Sequence, residues 1–421
     1  MPDSRDVARR AFESLQGHGT ATRETVSQIS VGLGEYLDAF AARYLGEKGM
    51  GICKLLLGSN GEGKTHLLFS VRARALELGH LVAVVEARNA GASASAFEFG
   101  RELLRSIETP GTDAVDPDEK RLLVLLRESL RRKRESLREE VLDPEIILPE
   151  WIEGLRTRDL SPGELAQGIA DGLRGLHEGD LRAAVTAVEQ FGLEKVHVSA
   201  STVRQQGPHL LRSILRLPRL LGFRPLVLLV DEAELAVEGA SRKRRLAFLA
   251  FLRFINDHLG AAREDGAVVL IACTDDFWPA RLAEYTALKG RMADPGYDSL
   301  DERRDLTTKR LVNKNKLWIR ETFRGVEEDY RRLGAEVVRL AALALSGVDE
   351  TVQHANSEIL AKIASSNEVI RWIKRPFVKA LAQCIADQVD EPAQRVLSEE
   401  ETRARFDLAR KSILQLDGGD T

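Results

Sequence analysis

The chain has 421 residues, 43% of them hydrophobic and 30% charged, and a formal net charge of −4. That length exceeds one compact core and implies two or three structural units, and the balance of residue types excludes a disordered chain. The slight negative charge excludes a surface adapted throughout to nucleic acid, so any such contact is local.

The first 48 residues read as an N-terminal helical segment. Ala8, Ala11, Phe12 and Leu15 recur at helical spacing, and Leu33, Tyr36, Leu37, Phe40, Tyr44 and Leu45 form a second amphipathic stretch. Residues 52–58, ICKLLLG, are a short apolar run ending at glycine, the pattern of a buried strand. Residues 64–79 have helical periodicity and stop at Gly79, and 80–87, HLVAVVEA, are a second buried strand. Strand, glycine loop, helix, strand is the opening of a doubly wound parallel sheet.

A helical insertion is expected at about 100–205. Residues 111–140 carry eight acidic and eight basic side chains interleaved with Leu122, Leu126 and Leu130, a solvated, salt-bridged pattern. Sheet character returns at 225–232 and 266–276, joined by an amphipathic helix over 242–259. From about 280 to 415 only helical patterns are evident, among them 335–346 and 374–389, and no strand is expected there. The expected fold is α/β: a parallel sheet flanked by helices, with the core over 49–290 and an all-helical lid over 291–421. Cys53, Cys273 and Cys384 stand far apart, which speaks against a disulfide framework or a zinc cluster. The start lacks an apolar signal core and no run of eighteen apolar residues occurs, so a cytoplasmic protein without membrane contact is expected.

Chemistry concentrates first at Gly58-Ser59-Asn60-Gly61-Glu62-Gly63-Lys64-Thr65, a complete G-x-x-x-x-G-K-[ST] pattern between a strand and a helix. Glycines let such a loop turn its backbone N–H groups inward as an anion nest at a helix N-terminus. Lys64 would neutralise the outer phosphates and the Thr65 hydroxyl would hold Mg²⁺. His66 is counted with this nucleotide-contacting set. The second concentration is Asp231-Glu232, closing the apolar run 226–230. Carboxylates ending a buried strand are costly unless a metal or a proton uses them. Asp231 would orient Mg²⁺ and Glu232 would polarise the attacking water, with Glu234 a solvated neighbour. The third is Thr274, at the end of the strand VVLIAC. Its hydroxyl would hold the lytic water, or it would cap the next helix; both readings stay open.

Together these motifs resemble the additional-strand, catalytic-glutamate division of P-loop ATPases, and within it the AAA+ family, over roughly residues 25–90 and 205–390. The resemblance implies ATP and Mg²⁺ as ligands, an arginine finger at Arg291 in ALKGRM, and a second sensor at Arg375 in IKRPFVKAL, with Arg371 as its rival. Trans-acting arginines would require a homo-oligomer on ATP binding. Three local patterns are also similar to the ATP-binding proteins of bacteriophage-exclusion (BREX) islands, the group called BrxD. They are RRAFESLQGHGTATRETVSQISVG, the charged insertion ahead of LLVDEAELA, and TDDFWPARLAEYTALKGRM. That likeness implies an ATPase working beside other antiphage-defence proteins. Alternatives are a weakly hydrolysing nucleotide-dependent switch and an origin-recognition-like DNA-loading ATPase, against which counts the lack of a winged-helix pattern after the lid.

Two basic clusters are candidates for double-stranded DNA. Between Arg303 and Arg324 eight basic residues face only Asp305 and Glu321, with Trp318 interleaved; Arg310, Lys314, Lys316 and Arg320 belong to this stripe. Arg242, Lys243, Arg244 and Arg245 form the second cluster, beside the alternative of an ordinary solvated helix.

Overall fold

The computed structural model describes residues 4–20, 26, 33–46, 51–87, 99, 103, 106–108, 110, 224–236, 241–256, 267–277, 286–292, 308–323, 325–367 and 373–417. The expected helical insertion at about 100–205 lies almost wholly outside the described residues.

Six strands form one mixed, mostly parallel sheet: β1 (Ile52–Leu57), β2 (His80–Glu86), β3 (Ile107–Glu108), β4 (Arg224–Asp231), β5 (Val268–Cys273) and β6 (Lys316–Trp318), in the order β3-β2-β4-β5-β1-β6. Strand β2 is parallel to β4, from Val82 beside Val227 to Glu86 beside Asp231, and β4 is parallel to β5 from Val227 beside Val268 to Val230 beside Ile271. Only the two-residue β3 is described as antiparallel, along β2. Residues 225–230 of β4 and all of β5 are buried, because strands covered on both faces must be apolar without alternation. These were the runs legible as strands. Strand β6 was not expected: three residues beginning with a lysine give no recognisable pattern, yet all three are buried.

The chain divides into two compact units, and the division falls within β1. One unit comprises Phe40–Leu55 and Arg74–Gly296. It holds β2, β4 and β5, with the helices α4 (Arg242–Ile255) and α5 (Thr286–Arg291). Its edge is pinned at His80, whose Nδ1 lies 2.7 Å from the carbonyl oxygen of Pro225 and whose Nε2 lies 2.9 Å from that of Leu45.

The other unit comprises Met1–Ala39, Leu56–Ala73 and Tyr297–Thr421. It contains α1 (Ser4–His18), most of α3 (Lys64–Glu77), α6 (Thr308–Asn313), and the C-terminal helices α7 (Glu327–Ala344), α8 (Glu350–Ser365), α9 (Arg375–Val389) and α10 (Glu399–Asp417). The apolar face of α1, Ala8, Ala11, Phe12 and Leu15, joins Tyr330, Val337, Leu360, Phe377, Ile385 and Phe406 in one core. The N-terminal helix is thus part of the C-terminal helical body. Each of its large side chains buried there contributes about 1.5–3 kcal/mol. Helix α2 (Gly34–Tyr44) spans the boundary between the units in sequence.

Local rules account for the helix ends. Asp349 caps α8 by accepting from the amides of Thr351 and Val352. Pro376 occupies the first turn of α9, where a missing N–H is harmless. All three cysteines are free and buried, and burial pushes the Cys53 thiol up to about 12 and the Cys384 thiol to about 11. Among the described residues no helix is long and apolar enough to cross a membrane.

Candidate functional site

The motif 58–65 follows the last residue of β1 and ends on the first residues of α3, which begins at Lys64. Gly61 has φ +82° and Gly63 has φ +108°, a backbone that other residues adopt only with strain. The turn is also crowded. A Cβ on Gly58 would stand 2.7 Å from Glu62 Oε2, and one on Gly61 would stand 2.8 Å from Ile373. Lys64 folds back over the turn, its Nζ donating to the carbonyl oxygens of Gly58 at 2.7 Å and Ser59 at 3.3 Å. Leu67 N donates to Gly63 O at 3.0 Å, the first helical bond of this helix, and the amides of the turn before it have no acceptor within the helix. Glu62 and Lys64 are buried, Ser59 and His66 half-buried, and Asn60 and Thr65 exposed. Positive-φ glycines, a helix N-terminus and an inward ammonium form a cradle whose chemistry fits a chain of phosphates.

Residues 373–375 lie against this cradle. Arg375 was expected to supply the lid cation, but its Nε donates to the carbonyl oxygen of His18 at 2.8 Å, at the end of α1. Its carbonyl oxygen stands 2.6 Å from where Gly19, at φ +70°, would carry a Cβ. The nearer cation is Lys374, whose Nζ is 3.6 Å from the corresponding position on Gly63 and 4.4 Å from the centroid of the Phe323 ring. Burial pulls the Lys374 amine down to about 8, against the attraction of Asp329 and Glu62. Sequence reasoning missed it; the adjoining arginine in IKRPFVKAL drew the assignment, and only the backbone geometry separates the two. Arg371 lies outside the described residues.

In the other unit, Asp231 is buried at the end of β4, and its Oδ1 accepts from the Glu232 amide at 3.0 Å. Glu232 has φ +53°, the one non-glycine with positive φ among the described residues, and its side chain is exposed. A bulky residue held in that region is strained, a condition that clusters at functional sites. Glu234 is no mere solvated neighbour: its Oε2 accepts from Thr274 N at 3.2 Å, tying the ends of β4 and β5 together. The carbonyl of Thr274 accepts from Phe277 N at 3.2 Å, so the backbone turns there. Among the described residues no group of three or more His, Cys, Asp or Glu is placed to hold a metal.

The basic stripe is corrected in part. Lys314 and Lys316 are only 4% and 1% exposed, and Lys314 Nζ pairs with Glu321 Oε1 at 2.8 Å. Trp318 is buried too. These side chains serve the interior around β6 and are not available to phosphates outside. Arg320 and Arg245 are half-buried. For Arg242, Lys243, Arg244, Arg291 and Arg310 the backbone is helical, and their side chains lie outside the description.

Compared with protein-family models, with curated proteins and with solved structures, the chain matches none.

Proposed function

We propose that this chain binds ATP with Mg²⁺ at residues 58–66 and hydrolyses it as an AAA+-type ATPase. The observation that carries this reading is the cradle itself: Gly61 and Gly63 at positive φ, and Lys64 folded inward where α3 begins. The strand order supports it, since β5 stands between β1 and β4 as the additional strand of that division requires. In this reading the magnesium ion neutralises phosphate charge. The residues that would hold it are Thr65, through its hydroxyl, and Asp231, through water. Lys64 holds the outer phosphates, Glu232 accepts a proton from the attacking water, and Thr274 positions that water. Arg291, contributed by a neighbouring copy, completes the site, so ATP favours a homo-oligomer. The biological setting we propose is a BREX-like antiphage system with partner defence proteins, on the likeness of the three sequence patterns alone.

The test is calorimetry with ATP and ADP beside phosphate-release assays, using Lys64→Ala and Glu232→Gln. Losing the charged contact of Lys64 weakens binding about 10- to 100-fold. Glu232→Gln retains binding and lowers turnover about 10²- to 10⁴-fold. Failure of folded protein to take up adenine nucleotide overturns the reading. Uptake without turnover under any condition makes the chain a nucleotide-dependent switch. Burial of Lys314 and Lys316 takes these two lysines out of the DNA-loading alternative, which then rests on the other basic residues.

A further inference from the structure

Helix α2 ends against the beginnings of two strands. Leu45 directly follows it and donates its amide to Ala41 O at 2.9 Å. Its own carbonyl oxygen, one of the acceptors a helix end leaves over, meets two side chains from the sheet. Arg224 Nη1 donates to it at 2.8 Å, and His80 Nε2 stands 2.9 Å away. Arg224 and His80 lie side by side, each the first residue of its strand, β4 and β2. The other ring nitrogen of His80, Nδ1, is 2.7 Å from the carbonyl oxygen of Pro225, and the residue is 0% exposed. Carbonyl oxygens accept and never donate, whereas a neutral imidazole carries one N–H and one lone pair. With one proton the ring turns a lone pair on an oxygen at 2.7 or 2.9 Å; with two, both contacts are hydrogen bonds.

We propose that His80 is a proton-operated clasp: as imidazolium it donates to Leu45 and Pro225 together and fastens the end of α2 to β2 and β4, and loss of one proton gives up one of the two arms. The inference stands apart from the nucleotide reading, for the clasp lies where β4 begins and Asp231 closes that strand at its other end. Burial and the neighbouring guanidinium of Arg224 disfavour the second proton. Against them act two carbonyl dipoles at hydrogen-bond distance and the negative end of α2, which favours a cation at its last turn. Other titratable and charged groups described on the surrounding elements are Arg43 and Tyr44 at the end of α2, Lys54 on β1, Glu77 on α3 and Glu108 on β3. Glu77 pairs with Arg74 at 3.1 Å, and burial raises the Tyr44 hydroxyl, which keeps it neutral. The geometry is that of the charged ring, so the folded chain keeps the second proton to a higher pH than the unfolded chain, whose imidazole gives it up near about 6.5. Stability from the clasp is therefore full below that value and is lost as pH rises through the folded chain's own titration.

The full chain, with nitrogen-15 in its histidine rings, is to be followed by NMR from pH 5.5 to pH 9. The His80 signals, assigned through its backbone, are expected to show both ring nitrogens protonated at pH 7.5. One unprotonated ring nitrogen at that pH overturns the proposal. The second measurement is the urea unfolding equilibrium of wild type and His80→Gln over the same range, since glutamine can donate there but does not titrate. Lys374 acts on both proteins alike and cancels from their difference. The advantage of wild type is expected to be largest below pH 6.5 and to shrink as pH rises, by at most about tenfold in the equilibrium constant per pH unit, the limit for one proton. A difference that stays flat, or grows with pH, sinks the clasp. Should His80→Gln fail to fold, the ring spectrum of wild type decides alone.

Discussion

Glu232 joins the carboxylate proposed to activate water to an unfavourable backbone, with φ +53° directly after the buried Asp231. Its strain is of order 1 kcal/mol, part of which glycine would relieve while costing chain entropy in the unfolded state. Glu232→Gly is therefore expected to leave stability unchanged or raise it by less than about 1 kcal/mol in urea denaturation, while phosphate release falls about 100-fold or more. Lys374 gives a pH signature of its own. Its folded value, about 8, lies below the ordinary lysine value, so between those limits the unfolded chain binds more protons. Its penalty on folding is full below pH 8 and fades as pH rises, so it adds a rising slope to stability above pH 8. Lys374→Met should flatten that slope in melting curves taken from pH 7 to 10. Residue identities made the turn and the strand end legible in advance, because glycines between an apolar run and a helical pattern ask for a tight reversal, which Gly61 and Gly63 make at positive φ, and the apolar run of β4 ends at Asp231. What stayed hidden was direction: nothing in IKRPFVKAL tells which of two adjacent cations faces Gly63 and which faces His18.

At the scale of elements, α7 and α8 approach closely at Gly334. A Cβ there would lie 1.7 Å from Ser357 Oγ, 3.1 Å from Ser357 Cβ and 3.3 Å from Phe377 Cζ. Alanine ordinarily stabilises a helix interior relative to glycine, but here the overlap reverses the sign. Gly334→Ala should cost about 1–3 kcal/mol, and Ser357→Ala in the same chain should recover part of it, since one of the clashing atoms is then gone. At the start of α8, Asp349→Ala should cost about 1 kcal/mol through the two amides it leaves without acceptors. The parallel strands were readable from sequence because burial on both faces demands unbroken apolar runs. Strand β6 was not, because Lys314, Lys316 and Glu321 imitate a solvated stretch, and charged residues are rarely enclosed unless paired.

For the whole molecule, periodicity identified α1 as a helix and could not name its partner. An apolar stripe says that something covers it, never what, and the partners lie in the last third of the chain. Phe12→Ala is expected to cost about 3–5 kcal/mol and to lower the melting temperature of the C-terminal helices, although the substitution is far from them in sequence. Order of synthesis adds a further demand. The bond from Arg375 to His18 joins residues 357 positions apart, and ribosomes add about 5–20 residues per second. The greasy stripe bearing Phe12 and Leu15 therefore emerges roughly 20–70 s before the surface it belongs to, and a nascent chain of this protein must be shielded for that interval or lose itself to aggregation.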